Sequence, residues 1–262
     1  MQVDLLLDPF GARWSDVRDT ARAAKDAGFA GIWTHDHLDG RVYDAPFVLE
    51  CWTVLTALAV TVPDVVLGPL VLNVKNRHPG VLATMSATLQ EVSGGRLILG
   101  IGAGAARGTR YALEQEAVGR TPDPDPVRRA HVETCIDEVQ RLWRGPGFLA
   151  PDPEPPFVVG VRGPKMAEVA GRVGDGINVP ASHPRLHDLL EIARDAHARA
   201  GRDPERFLVT VQAAFDEQWL SADSPARASL APTRVDRLIL DVSPPFDRHR
   251  IARAGRLVGG VA

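Results

Sequence analysis

The sequence predicts a single (β/α)8 TIM barrel, an α/β fold. Three observations carry that expectation: eight short apolar runs, amphipathic helical stretches alternating with them, and a length of 262 residues that suits one such barrel. Near-continuous apolar runs mark parallel strands buried on both faces. An open doubly wound sheet would favour fewer strands or a visible break into halves, and neither is present. The whole chain, 1–262, is read as one domain.

The elements follow in order. Residues 3–7 form the first apolar run, ended by Asp8-Pro9-Phe10-Gly11. Ser15 can cap a helix whose inner face is Val17, Ala21 and Ala24, stopped by Gly28. Residues 30–34 are the second strand, with a polar end at His35-Asp36-His37. A helix opening near Pro46 carries Leu49, Trp52, Leu55 and Ala59 at helical spacing. Residues 65–72 are the third strand. Pro79 suits the first turn of a helix with Leu82, Met85, Leu89 and Val92 inward, closed by Gly94-Gly95. Residues 96–101 are the fourth strand, ending in Gly102-Ala103-Gly104. The stretch from 105 to 126 is polar and proline-rich, too long for a passive connection, and reads as a functional loop or lid. Val132, Cys135, Ile136, Val139, Leu142 and Trp143 line the next helix. Strands at 157–161, 176–179, 207–211 and 237–242 complete the eight. Helices are expected from Pro164, over 184–200, weakly over 225–230, and over 248–257.

Composition narrows the function. A net charge of -3 with 45% hydrophobic residues gives no reason to expect nucleic acid or an anionic membrane as partner. No apolar run approaches the roughly 20 residues needed to cross a bilayer. The start, Met1-Gln2-Val3-Asp4, has no basic and apolar leader, and the two cysteines, Cys51 and Cys135, lie in helical patterns. A cytoplasmic location is the expectation.

In a barrel of this kind the active site lies at the C-terminal strand ends. Three features there suit a cofactor enzyme. Asp36 and His37 can handle protons near neutrality. Gly102 and Gly104 let a flat ring approach the main chain. Gly163-Pro164-Lys165, between a strand and a helix, offers free amides and a cation to a phosphate. Taken singly, each has an ordinary explanation: a histidine bonding a loop carbonyl, glycines ending a strand, a lysine on a solvated helix face. No metal site is expected. The set His35, His37, Lys165, His183 and Asp241 could suggest a metal-dependent barrel hydrolase. That reading needs its histidine pair on the first strand, a place already taken by residues 3–7.

The stretch Leu89-Gln90-Glu91-Val92-Ser93-Gly94-Gly95-Arg96, continuing through Leu97-Ile98-Leu99-Gly100-Ile101-Gly102-Ala103-Gly104, resembles the luciferase-like monooxygenase superfamily. So do residues 68–79, 31–37, 50–53 and 157–176. The resemblance implies an oxidoreductase that transfers a hydride between coenzyme F420, or alternatively FMN, and a small organic substrate, working as a homodimer. The Asp36-His37 pair resembles the deazaflavin branch, with its methylene-tetrahydromethanopterin reductases and sugar-phosphate dehydrogenases. It implies that Asp36 orders the ring and His37 supplies a proton. It further implies a cis peptide between Leu70 and Val71 under the ring, Asn73 and Gly102 at its border, and the phosphate over Arg162, Gly163, Pro164 and Lys165. Two departures stand out. The sugar dehydrogenases carry a glutamate where this chain has Ala105, which argues against a sugar phosphate. The connection after the seventh strand is also trimmed, which admits a second reading as a non-catalytic or cofactor-free partner subunit.

Overall fold

Alternation along the strands decides which side chains fill the barrel and which face the helices. The computed structural model of the protein describes residues 1–221 and 223–258. Its strands, in chain order, are β1 (Gln2–Leu7), β2 (Gly31–Thr34), β3 (Val66–Pro69), β4 (Leu72–Asn73), β5 (Leu99–Gly102), β6 (Phe157–Gly160), β7 (Gly176–Pro180), β8 (Leu208–Ala214) and β9 (Arg237–Val242). All pair in parallel, in the order β3-β2-β1-β9-β8-β7-β6-β5-β4. A parallel bridge between Leu67 and Leu97 brings the two ends of that order together, so the sheet closes as a barrel. Eight strands are expected and nine are found because the third is split. Leu70 and Val71 bulge out between β3 and β4, and the peptide bond joining them is cis, as the resemblance implies.

Val3, Leu5 and Leu7 of β1 pack outward with the helices, whereas Leu6 joins Trp33, Ile98, Val158 and Ile239 in a separate interior cluster. Period-two alternation thus stacks the interior in layers. In the lowest layer Arg237 donates from Nε and Nη2 to both oxygens of Asp4, at 2.7 and 2.9 Å, and Trp33 Nε1 donates to Asp4 at 2.8 Å. Gly68 leaves room for the indole, since a Cβ there would lie 2.4 Å from the Trp33 ring. In the uppermost layer the same alternation, Asp4-x-Leu6-x-Asp8 and Arg237-x-Ile239-x-Asp241, sets polar side chains at the strand tips.

The long helices are α1 (Trp14–Asp26), α2 (Cys51–Thr61), α3 (Pro79–Ser93), α5 (Asp125–Trp143), α6 (Pro164–Val173), α7 (Leu186–Arg199) and α9 (Arg248–Val258), with the short α4 (Ala112–Ala117) and α8 (Pro225–Ala228) between them. Ser15 lies inside α1, whose start has no side-chain cap. The second helix begins at Cys51 rather than near Pro46, because Val48 is drawn into an antiparallel bridge with Phe10 and Glu50 caps the helix. Glu50 accepts from the amides of Trp52 and Thr53 at 3.1 and 2.7 Å. The weak seventh helix is reduced to the single turn of α8 within the connection after β8.

The Ser-Gly-Gly-Arg signature has a structural explanation at the bottom of the barrel. Gly94 takes φ +67° as the left-handed end of α3, a conformation glycine adopts at no steric cost. The chain then turns so that Arg96 donates to the carbonyls of Ala59, Val62, Val65 and Ser93. One guanidinium satisfies carbonyls at the end of α2 and along the following turn, which would otherwise lack partners.

Candidate active site

The strand tips open into a cavity of about 750 Å³. The ten residues to which the resemblance gives a role at the ring, the proton or the phosphate all border it: Asp36, His37, Leu70, Val71, Asn73, Gly102, Arg162, Gly163, Pro164 and Lys165. Three pieces of chain that are distant in sequence meet there through one buried ion pair. Asp36, just past β2, has 0% side-chain exposure and takes two 2.8 Å bonds from Arg77. Its Oδ2 also accepts the Asn73 amide at 2.9 Å, and Arg77 continues to Glu50 at 2.6 Å. The tip of β2, the start of α2 and the loop after β4 are thereby locked together. Both oxygens of Asp36, expected to handle protons, are taken by a guanidinium and an amide.

His37 is placed differently. Its Nδ1 lies 3.0 Å from Glu114 Oε2, and a carboxylate can only accept, so Nδ1–H donates. Glu114 also accepts the Leu38 amide at 3.0 Å and is nearly buried. Tyr111 stacks on the imidazole at 5.8 Å, and Phe10 and Tyr43 pack around it. Tyr111 and Glu114 both come from the 105–126 stretch, which thus borders the cavity. It carries α4 and brings the Glu114 carboxylate to the cavity.

The missing Cβ atoms serve a different partner from the one expected. A Cβ on Gly102 would lie 2.6 Å from Val71 Cγ2, and one on Gly160 2.9 Å from the same atom. Glycine at both positions makes room for the Leu70-Val71 bulge, not directly for a ring. Gly104, at φ +72°, likewise yields to the Asn73 amide, whose Oδ1 would be 2.1 Å from a Cβ. The amide's Nδ2 is buried and has no hydrogen-bond partner. It is a buried donor without a partner on a residue that borders the cavity, and an unsatisfied group of this kind costs about 1–3 kcal/mol.

His35, Asp241 and Gln212, on the interior faces of the strand tips, also border the cavity. His35 Nδ1–H donates to the Leu70 carbonyl at 3.0 Å while Nε2 faces Asp241 at 3.4 Å. Burial disfavours its charged form, but the Asp241 carboxylate, the Leu70 carbonyl and Asp8 together raise its pKa above the ordinary imidazole value. Burial raises the Asp8 carboxyl in turn. The metal-hydrolase grouping does not assemble. His35 turns to Asp241 and His37 to Glu114, and no cluster of three His, Cys, Asp or Glu that could hold a metal occurs among the described residues.

At the opposite rim, Gly163 precedes α6 in an extended conformation and Pro164 opens the helix. Arg162 and Lys165 are exposed at the mouth, joined by Arg128 and Arg129 from the first turn of α5. The arginines of α5 went unread in the sequence. No local pattern links them to the cavity, since only the packing of α5 beside α6 brings them there.

The family model for luciferase-like monooxygenases matches residues 2–257. A 5,10-methylenetetrahydromethanopterin reductase from Methanolobus tindarius is 31% identical over 252 residues, covering 92% of this chain and 73% of that protein. An F420-dependent glucose-6-phosphate dehydrogenase from Nakamurella multipartita is 27% identical over 259 residues, covering 91% and 75%. Among solved structures, an F420-dependent secondary alcohol dehydrogenase in complex with an F420-acetone adduct matches in fold, with a TM-score of 0.83 at 18% identity, over 100% of this chain and 99% of that one. The chain belongs to the luciferase-like monooxygenase family.

Proposed function

We propose that the protein is an oxidoreductase that exchanges a hydride between coenzyme F420 and a small organic substrate. One observation carries the reading: the strand-tip cavity is bordered by the Leu70-Val71 bulge, by Asn73 and by the cations Arg162 and Lys165, which suits a heterocycle with a phosphate tail. The residues fit such a group. Leu70 and Val71 form the wall, Asn73 Nδ2 offers a hydrogen bond to a ring acceptor, and Asp36 with Arg77 fixes the loop from which Asn73 projects. The free helix start at Gly163-Pro164, with Arg162 and Lys165, suits the phosphate. The F420-dependent glucose-6-phosphate dehydrogenase among the relatives named above supports the deazaflavin over FMN.

When bound, the deazaflavin supplies the hydride-accepting carbon, and the protein supplies orientation and a proton. Glu114 holds His37 with its proton on Nδ1, leaving Nε2 to take a proton from a substrate hydroxyl or return one to a carbonyl. Tyr111, Tyr43 and Phe10 keep water from the imidazole. In this reading the enzyme acts as a homodimer in a reducing cytoplasm, where the buried thiols of Cys51 and Cys135 stay free.

Fluorescence titration with F420 and with FMN, followed by a substrate panel of secondary alcohols, sugar phosphates and pterins, tests the proposal. F420 binds, and His37→Ala keeps that affinity while turnover falls by about 10²–10⁴-fold. Unchanged turnover removes His37 from the mechanism, and a protein with no affinity for F420 overturns the assignment.

A further inference from the structure

We infer that the first turn of α5 is a second anion-binding subsite, built to take the carboxylates of an acidic chain attached beyond the phosphate of the cofactor. The inference rests on the proposed function and deepens it. Four cations border the cavity: Arg162 and Lys165 at the start of α6, and Arg128 and Arg129 at the start of the neighbouring α5. Among the described residues, Arg129, Arg162 and Lys165 have no carboxylate within ion-pair distance. Arg128 has only a 3.4 Å contact with Asp125, which is 70% exposed. The Nε of Arg128 is buried and unpartnered.

The chain has a net charge of -3, and two neighbouring cations do have carboxylate partners, Arg77 with Asp36 and Glu50, and Lys75 with Asp123. Like charges gathered without counterions repel one another, and a cavity edge lined with them focuses the field on an incoming anion. The two helix starts add to that field, because α5 packs beside α6, tied by Glu133 and Arg172 at 2.7 Å, and both begin at the same face of the barrel.

A phosphate carries one or two negative charges. The backbone amides of Gly163 and Lys165 with the side chains of Arg162 and Lys165 suffice for it, so Arg128 and Arg129 have charge to spare. Their planar guanidinium groups suit carboxylates in particular. FMN ends at its phosphate and has nothing to offer them. The side chain of F420 continues past a phosphodiester into glutamyl residues, whose carboxylates are opposite in charge to the spare arginines. The α5 turn thus selects the deazaflavin by its tail.

Two forms of the cofactor test this directly: F420 with its glutamyl tail, and the form that keeps the phosphate but lacks glutamate. Each is titrated by fluorescence into the wild-type protein and the Arg128→Gln/Arg129→Gln variant, at low and high salt. The wild type should bind the tailed form roughly tenfold more tightly, with the gap closing at high salt as screening takes over. In the variant the two forms should bind alike, and the tailless form should bind as it does to wild type. Equal affinity of both forms for the wild type overturns the subsite, whether or not the variant folds, and so does a gap that survives in the variant. If the wild type binds neither form, the proposed function itself falls, a result distinct from equal binding of both.

Discussion

Asp4 and Asp36 are held in the same way at opposite ends of the barrel, yet their surroundings assign them different tasks. Each has 0% side-chain exposure, and each takes two bonds from one arginine, Arg237 below and Arg77 above. The third partner of Asp4 is the Trp33 indole, in a packed interior. The third partner of Asp36 is the amide of Asn73, a residue that borders the cavity and whose own side chain holds a buried donor without a partner. Below, the pair ties β9 to β1 and closes the sheet. Above, it holds three loops in the shape of a binding site. The geometry of a buried ion pair does not reveal its purpose; its position relative to the strand ends does. Arg96 makes the same point, because the motif that most clearly marks the family is a clamp on helix carbonyls at the bottom face.

The two pairs should respond differently when one arginine is removed. Arg237→Ala leaves Asp4 charged and without its partner in the interior, which should cost about 3–5 kcal/mol in denaturant unfolding. The molecules that remain folded should bind F420 normally. Arg77→Ala should cost less, about 2–3 kcal/mol, since Asp36 keeps the Asn73 amide and lies beside a cavity that admits water. Turnover, however, should fall by about 10²-fold through misplacement of the Asn73 loop. If Arg77→Ala matched Arg237→Ala in stability and left turnover intact, the distinction between the two ends would collapse.

A smaller effect belongs to the pair at the tips of β2 and β9. The folded-state pKa of His35 is raised, so its stabilising interaction with Asp241 is fully present below the ordinary imidazole pKa and is lost as pH rises through the folded value. The difference in melting temperature between wild type and Asp241→Asn should therefore be largest at mildly acidic pH, equivalent to about 1 kcal/mol, and fade under alkaline conditions. A difference independent of pH would mean that His35 is neutral throughout.

The staves of the barrel are legible in the sequence because strands buried on both faces leave unbroken apolar runs, and residues 3–7 and 237–242 fall almost on β1 and β9. Their inward faces are legible too. Asp4-x-Leu6-x-Asp8 and Arg237-x-Ile239-x-Asp241 point to a charged bottom, an apolar middle and a polar top, and the same parity on Gly31-x-Trp33-x-His35 would have found His35. Glu114 is another matter. It lies in a polar stretch with no strong period, and its partner, His37, is 77 residues away, so only the fold pairs them. The role of Gly102 was hidden for a similar reason: a missing Cβ is visible in a sequence, but the atom that fills its place, here Val71 Cγ2, is not.

The central claim is that the strand tips hold a deazaflavin against the Leu70-Val71 bulge. A crystal structure of the protein with F420 tests it most directly. The ring should lie on Leu70 and Val71 with Asn73 Nδ2 bonded to it, and the phosphate should rest at Gly163-Pro164-Lys165. A structure in which the coenzyme binds elsewhere, or in which side chains fill the hollow and leave Asn73 Nδ2 unpaired, would contradict it.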